Sequence, residues 1–418
     1  MTGERFLIEG GHRLQGTVRV SGNKNAAVHT LAATLLTGED CYLENVPDIG
    51  DVRFMLDIMQ ALGTKVERTS PGGLRLNAGD LHCFIAPSEL ATSLRASFVV
   101  MGPLLARFGE AACSPPGGDI IGLRPLDVHL SGFAALGADV RREGDKFVAR
   151  ARRLRGSRVF MDYPSVLGTQ NLMMAATLAE GTTVIVNAAA EPEVASLAGM
   201  LNAMGASICG AGSHTIEIVG VDGLHGTSHR IIADRIEAGT LAIAAAVTDG
   251  EVEIEEGPAS HLDALIWKLR ESGVEVDATE AGLRVRRGGA LRAVNAQSVP
   301  YPGLATDLQA PMAVLLTQAQ GVSFIYERVF DNRLLYVSEL RKMGAEVVTS
   351  GTTAVISGPT PLIGASVKAL DIRAGAALVL AGLVAQGRTE IADIYHLDRG
   401  YEGLDQKLRA LGAVLERV

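Results

Sequence analysis

One phrase recurs six times along the 418-residue chain and limits what it can fold into. A polar-flanked Leu or Met, a glycine and a small residue lead into a β-rich run. It reads MQALGTKVE, FAALGADVR, LNAMGASIC, KLRESGVEV, ELRKMGAEVV and KLRALGAVLE, centred on Gly63, Gly137, Gly205, Gly273, Gly344 and Gly412. A second phrase alternates with it, an Ala/Leu-rich stretch stopped at Gly38, Gly109, Gly181, Gly250, Gly321 and Gly387. Both series step by about 70 residues, too long a period for the common solenoids. Glycine after a helix takes the left-handed conformation that ends it, and stretches such as Thr182 to Val186 or Glu251 to Glu255 alternate as half-buried strands. The chain therefore reads as six copies of one α/β unit.

Two kinds of helix follow from the pattern. The stretches Leu31 to Leu36, Leu172 to Ala179, Leu241 to Thr248 and Leu378 to Ala385 are apolar nearly all round and belong inside a domain. Those before the LGA-type glycines carry Lys, Arg and Glu on one face and belong at the surface. Helices inside, sheets around them and amphipathic helices outside is the expected arrangement. Six units exceed one core, so two domains of three are expected, with crossings near Ser21 to Asn25 and His229 to Asp234.

Net charge of −9 and few aromatics exclude the field and stacking platforms that nucleic acids need. The longest apolar runs are about half a membrane span, and the opening MTGERFLIEGG has no signal-peptide pattern. Four scattered cysteines form neither a zinc nor a disulfide framework, and no HExxH pattern marks a metal. A cytoplasmic protein with no metal or cofactor and no membrane or nucleic-acid partner is expected.

Chemistry concentrates where polar residues interrupt this pattern. The loop from Pro115 to His129 packs three prolines, three glycines, Asp119, Arg124, Asp127 and His129 together. SGNKNAA, Ser21 to Ala27, precedes the first buried helix. Asn23 and Asn25 read as helix caps, but Lys24 is a cation at the positive end of a helix, unfavourable unless an anion sits there too. Arg95, Arg235, Arg333, Arg373 and Arg399 mark comparable points elsewhere. Each taken alone reads as a structural ion pair, with Asp234, Asp331, Asp371 or Asp398 as local partner; together with Arg124 they suit a small polyanion.

SGNKNAA, LRASF, the loop PGGDIIGLRPLDVH, ADRIEAGT, ATDLQAP, VFDNR, DIRAGAALVLAG and IYHLDRGYE together resemble the nucleotide-sugar branch of the enolpyruvyl transferase family, from the first residues to the last. The resemblance implies an α+β fold, an inside-out α/β barrel or prism of two domains. One covers 21–232; the other comprises 1–20 and 233–418. It implies enolpyruvyl transfer from phosphoenolpyruvate to the 3-hydroxyl of UDP-N-acetylglucosamine with loss of phosphate, by a monomer or weak homo-oligomer. It implies Asp119 as proton donor and Asp307 at the acceptor hydroxyl. Lys24, Arg124 and Arg399 would hold phosphate, with Asn25, Arg95, Arg333 and Arg373 completing the anion site. The nucleotide sugar would lie against Arg95, the run Arg124, Pro125, Leu126, Asp127, Val128 and His129, the turn Ser165, Val166 and Leu167, then Asp307 and Val329. Two departures from the family pattern stand out. Asp119 replaces the usual cysteine and needs a raised pKa to donate a proton near neutrality. Leu167 replaces a glycine, and Tyr163 stands where some members have lysine. Cys113, six residues before Asp119, reads as a small buried thiol; His29, His261 and His396 read as structural.

Overall fold

The structure is a computed structural model that describes residues 3–118, 121–122 and 125–418. Cα packing separates two compact units. Of the described residues, unit A holds 22–118 and 125–232; unit B holds 3–21, 121–122 and 233–418. Each has its own hydrophobic core.

Among the described residues, twelve helices of seven residues or more alternate between two roles. They are α1 (Lys24–Ala33), α2 (Gly50–Leu62), α3 (Met101–Phe108), α4 (Asp127–Ala135), α5 (Val166–Ala176), α6 (Pro192–Ala203), α7 (Arg235–Val247), α8 (Asp263–Glu271), α9 (Gln309–Thr317), α10 (Tyr336–Lys342), α11 (Ile372–Val384) and α12 (Leu404–Ala410). Odd-numbered helices lie inside. Every residue of α7 is buried, and all of α11 except Val384. Even-numbered helices are more exposed: in α8 only Leu265, Ile266 and Leu269 are buried, a stripe with three- and four-residue spacing. Short 3-10 turns, Arg95–Val100 and Thr306–Leu308, lead into α3 and α9.

Among the described residues, six small sheets accompany these helices, five of four strands and one of three. In the four-stranded sheet of Ser207–Cys209, Thr215–Val219, Thr182–Val186 and Arg158–Phe160, the first three run antiparallel in order and the last is parallel to its neighbour. The other four-stranded sheets repeat this plan, two antiparallel pairings and one parallel edge strand, and the three-stranded sheet is antiparallel throughout. Ser228–Arg230 returns beside Asp40–Glu44 to complete the first sheet of unit A. The N-terminal residues supply two strands of unit B. Phe6–Glu9 lies between Arg388–Ala392 and Val414–Arg417, with Ile8 opposite both Thr389 and Leu415, and Gln15–Arg19 runs parallel to Glu251–Glu255. The α+β class and the helices-inside order match the sequence reading; among the described residues the sheets are separate, with no closed barrel. Among the described residues, no helix is long and apolar enough to cross a membrane.

All six LGA-type glycines are left-handed, with φ from +89° to +111°. The second series is less uniform. Gly109, Gly181, Gly321 and Gly387 are left-handed, whereas Gly38 and Gly250 are not; beside Gly250, Asp249 takes φ +52° instead. Gly250 is needed for space. A Cβ there would lie 2.4 Å from the carbonyl oxygen of Leu14, which accepts the Glu251 N–H at 3.0 Å.

Gly137 and Gly250 separate the two roles of glycine. A Cβ at Gly137 meets nothing within 4 Å, so Gly137→Ala carries only backbone strain, about 1–2 kcal/mol. Gly250→Ala must displace backbone and is expected to cost about 3 kcal/mol or more. Urea unfolding of both variants measures the difference; equal losses would contradict this division.

Candidate active site

In unit B the leading ends of the three inner helices come together. Asp371 caps α11, accepting from the Arg373 and Ala374 amides at 2.7 and 2.9 Å, and Asp234 caps α7 through the Ile236 and Glu237 amides at 2.8 and 3.2 Å. Capping occupies the carboxylates that sequence neighbourhood assigned to Arg373 and Arg235. Arg373 turns elsewhere, and Arg333 joins it. Arg333 Nη2 donates to Asp307 Oδ1 at 2.7 Å, and Arg373 Nε donates to Asp307 Oδ2 at 3.0 Å. Both guanidiniums are about 4% exposed or less, while Asp307 retains 24%. Asp331 and Asp371 are therefore replaced as ion-pair partners by a carboxylate distant in sequence. Asp398 likewise pairs with Arg417 at 2.6 Å.

Arg373 also faces the Tyr401 ring, 5.1 Å from its centroid. Tyr401 Oη lies 3.0 Å from Thr240 Oγ1 of α7, so one side-chain chain joins the starts of α7, α9 and α11. Burial works against the Arg373 charge, but Asp307 and then Tyr401 outweigh it and hold its pKa above the usual arginine value. Burial raises the Tyr401 phenol, against the lowering effect of Arg373. Arg399 follows the short helix Tyr395–Asp398 and is partly buried.

Val329 lies two residues beyond Glu327, whose carboxylate accepts from the Thr306 hydroxyl and from the Val329 and Phe330 amides. Sequence reading missed Glu327. Its signal was present: Ser323 and Ile325 mark the inward face of the strand Gly321–Glu327, and parity places an acid there.

In unit A the same kind of helix start recurs. Asn23 caps α1 by accepting the Ala26 amide at 2.7 Å and donates to Glu193 at 3.1 Å. Gln170 of α5 donates to the Glu193 carbonyl at 3.2 Å, which ties the two helix starts together. Asn25 lies inside α1 and is not the cap. The anion required beside Lys24 is supplied within the unit: buried Asp51 of α2 lies 2.8 Å from its ammonium. Arg95 opens the 3-10 turn before α3.

Ser165 caps α5, accepting the Gly168 amide at 3.1 Å. Val166 and Leu167 form the first turn and lean on the core with Leu126 and Val128. Gly168 fits because Val128 Cγ1 occupies the place a side chain would need, 2.7 Å from a Cβ. The run 125–129 and the turn 165–167 are thus neighbours. Pro125 and Asp127 are exposed, as is Tyr163. Asp119 and Arg124 lie outside the described residues.

His129, placed by the resemblance against the nucleotide sugar, sits 2% exposed in α4, with Nδ1 3.0 Å from Asn171 and its ring edge-on to Phe98. It belongs to the core. Burial, then Arg95, lower its pKa to about 3; burial, Lys24 and His129 do the same for His29. Cys113 is buried in the strand Glu110–Cys113, its thiol pushed up to about 12 by burial.

The chain can now be set beside known proteins. A family model described as EPSP synthase (3-phosphoshikimate 1-carboxyvinyltransferase) matches residues 8–408. The chain belongs to the EPSP synthase family of enolpyruvyl transferases. It is 51% identical over 417 residues to a UDP-N-acetylglucosamine 1-carboxyvinyltransferase 2 of Carboxydothermus hydrogenoformans, covering 99% of both chains. It is 49% identical over 413 residues to UDP-N-acetylglucosamine 1-carboxyvinyltransferase 1 of Caldanaerobacter subterraneus, again covering 99% of both. Among solved structures, the enolpyruvyl transferase NikO of Streptomyces tendae superposes with a TM-score of 0.90 at 26% identity, covering 100% of this chain and 99% of that one. An EPSP synthase of Acinetobacter baumannii shares the fold, with a TM-score of 0.77 at 17% identity and full coverage of both chains.

The two buried histidines give a pH prediction. Neutral in the fold but near 6.5 when unfolded, they leave the unfolded state with more bound protons below that pH. Stability is fully present above pH 6.5 and falls as pH drops toward 3, by up to about 1.4 kcal/mol per pH unit for each histidine. Urea unfolding between pH 7 and 5 should show this slope, made shallower by His29→Leu; an unchanged slope in the variant would contradict it.

Proposed function

We propose that this chain transfers the enolpyruvyl group of phosphoenolpyruvate to the 3-hydroxyl of UDP-N-acetylglucosamine, the first committed step of peptidoglycan synthesis. The observation that carries the reading is the Asp307 cluster, two buried arginines on one partly exposed carboxylate at the start of α9. Support for the acceptor comes from full-length relatives at about half identity that bear its name.

The chemistry asks for a proton at the methylene carbon of phosphoenolpyruvate, which makes C2 electrophilic. The sugar hydroxyl oxygen then bonds to C2 and gives up its proton, forming a tetrahedral adduct. Loss of a C3 proton and cleavage of the C2–O bond to phosphate restore the double bond. Asp119 is assigned the donor role and Asp307 the role at the hydroxyl. Lys24, Arg124 and Arg399 are assigned to phosphate, with Asn25, Arg95, Arg333 and Arg373 completing the anion site. Pro125 to Val128, Ser165 to Leu167 and Val329 are assigned to the nucleotide sugar, with His129 behind them in the core.

An anionic substrate group competes with Asp307 for Arg333 and Arg373. As it draws hydrogen bonds away, Asp307 becomes a stronger base. Base strength would then rise once the anion is bound. The same proposal covers a cytoplasmic enzyme contributing to cell shape and division, monomeric or weakly self-associating. Leu167 in the first turn of α5, with Tyr163 exposed nearby, favours a second reading in which the acceptor is a different nucleotide sugar.

Phosphate release from phosphoenolpyruvate with UDP-N-acetylglucosamine tests the reaction. The native chain should turn over, Asp119→Ala should lose about 100-fold or more, and Asp119→Cys should recover activity. The epoxide fosfomycin alkylates a thiolate, so it should inactivate Asp119→Cys and spare the native chain. Rapid time-dependent inactivation of the native chain would contradict the assignment of Asp119. Turnover only with another nucleotide sugar would favour the second reading.

A further inference from the structure

Glu327 is an enclosed acid near the Asp307 cluster, 2% exposed at the end of the strand Gly321–Glu327. A buried carboxylate is tolerated only when its oxygens are occupied, and three donors occupy these. Thr306 Oγ1 donates to Oε2 at 2.7 Å, while the Val329 and Phe330 amides donate to Oε1 at 2.7 and 3.1 Å. Burial raises its pKa, against those hydrogen bonds and nearby Arg333.

The two groups of donors belong to different parts of the proposed site. Thr306 begins the 3-10 turn that carries Asp307. Val329 and Phe330 begin the segment that leads to Arg333, itself bonded to Asp307 at 2.7 Å. One carboxylate thus fixes the turn bearing the proposed base and the backbone assigned to the sugar.

We infer that Glu327 is a positioning residue that holds the Asp307 turn and the Val329–Phe330 segment in register, so that the acceptor hydroxyl is presented to the base. The inference rests on the proposed function. Glu327 itself is too enclosed to need contact with substrate. A misplacement of about 1 Å costs a reaction on the order of 100-fold, and an unbraced turn allows a shift of that size.

Steady-state kinetics of Glu327→Ala, Glu327→Gln and Thr306→Val, each below its melting temperature, test this. In Glu327→Ala, kcat should fall about 100-fold and KM for UDP-N-acetylglucosamine should rise about tenfold, since Val329 is released as well, while KM for phosphoenolpyruvate stays within about twofold. Thr306→Val should lower kcat and leave the acceptor KM near native, because the two amide bonds remain. Glutamine can accept from both amides and donate to Thr306, so Glu327→Gln should recover most of the loss. A lower melting temperature with native kinetics in Glu327→Ala would overturn the inference, as would Glu327→Gln as impaired as the alanine variant. No turnover by the native chain would overturn the proposed function and this inference together; native turnover with kinetically silent variants would overturn the inference alone.

Discussion

A guanidinium enclosed in a protein interior is costly unless a carboxylate is in place to receive it, and Asp307 receives two. Arg333 and Arg373 come from separate stretches of the chain yet close on the same side chain at 2.7 and 2.9 Å. Removing Asp307 would leave two buried charges without their carboxylate, and moving it would unseat both. The starts of α9 and α11 are thereby locked together, and Tyr401 and Thr240 extend the lock to α7. Polar chemistry collects at this end because inner helices have apolar surroundings along their length. Only their leading turns present unsatisfied N–H groups and positive dipole ends.

The architecture was legible because its signals are local. An LGA-type glycine ends a helix by its own backbone conformation, and all six do so with positive φ. An all-apolar helix has nowhere to go but inward, as α7 and α11 show. The N-terminal residues supply strands to two sheets of unit B. Where space rather than conformation decides, as at Gly250, sequence reading misassigned the glycine's role.

The electrostatics were less legible, because ion pairing depends on what else an acid must do. Asp371 is a sequence neighbour of Arg373, yet it caps the α11 amides while Arg373 pairs with Asp307. Asp307 and Arg373 are 66 positions apart, and nothing local pairs them. Lys24 signalled an anion correctly, but Asp51 provides one from within the unit. His129 lay in a loop rich in functional residue types and was read with them, whereas α4 turns it into the core beside Asn171. The family relation adds the reaction class. The chain's own departures, Asp119 and Leu167, are where it asks for separate measurement.

Solvent deuterium incorporation is the most direct probe of the proposed chemistry. Addition and elimination require C3 of phosphoenolpyruvate to gain a solvent proton and lose one before product forms. In deuterated buffer with UDP-N-acetylglucosamine, product from the native chain should carry deuterium at the vinyl carbon, detected by mass spectrometry and proton NMR. Product formed at a normal rate with an unlabelled methylene would contradict protonation at C3, and with it the addition–elimination route.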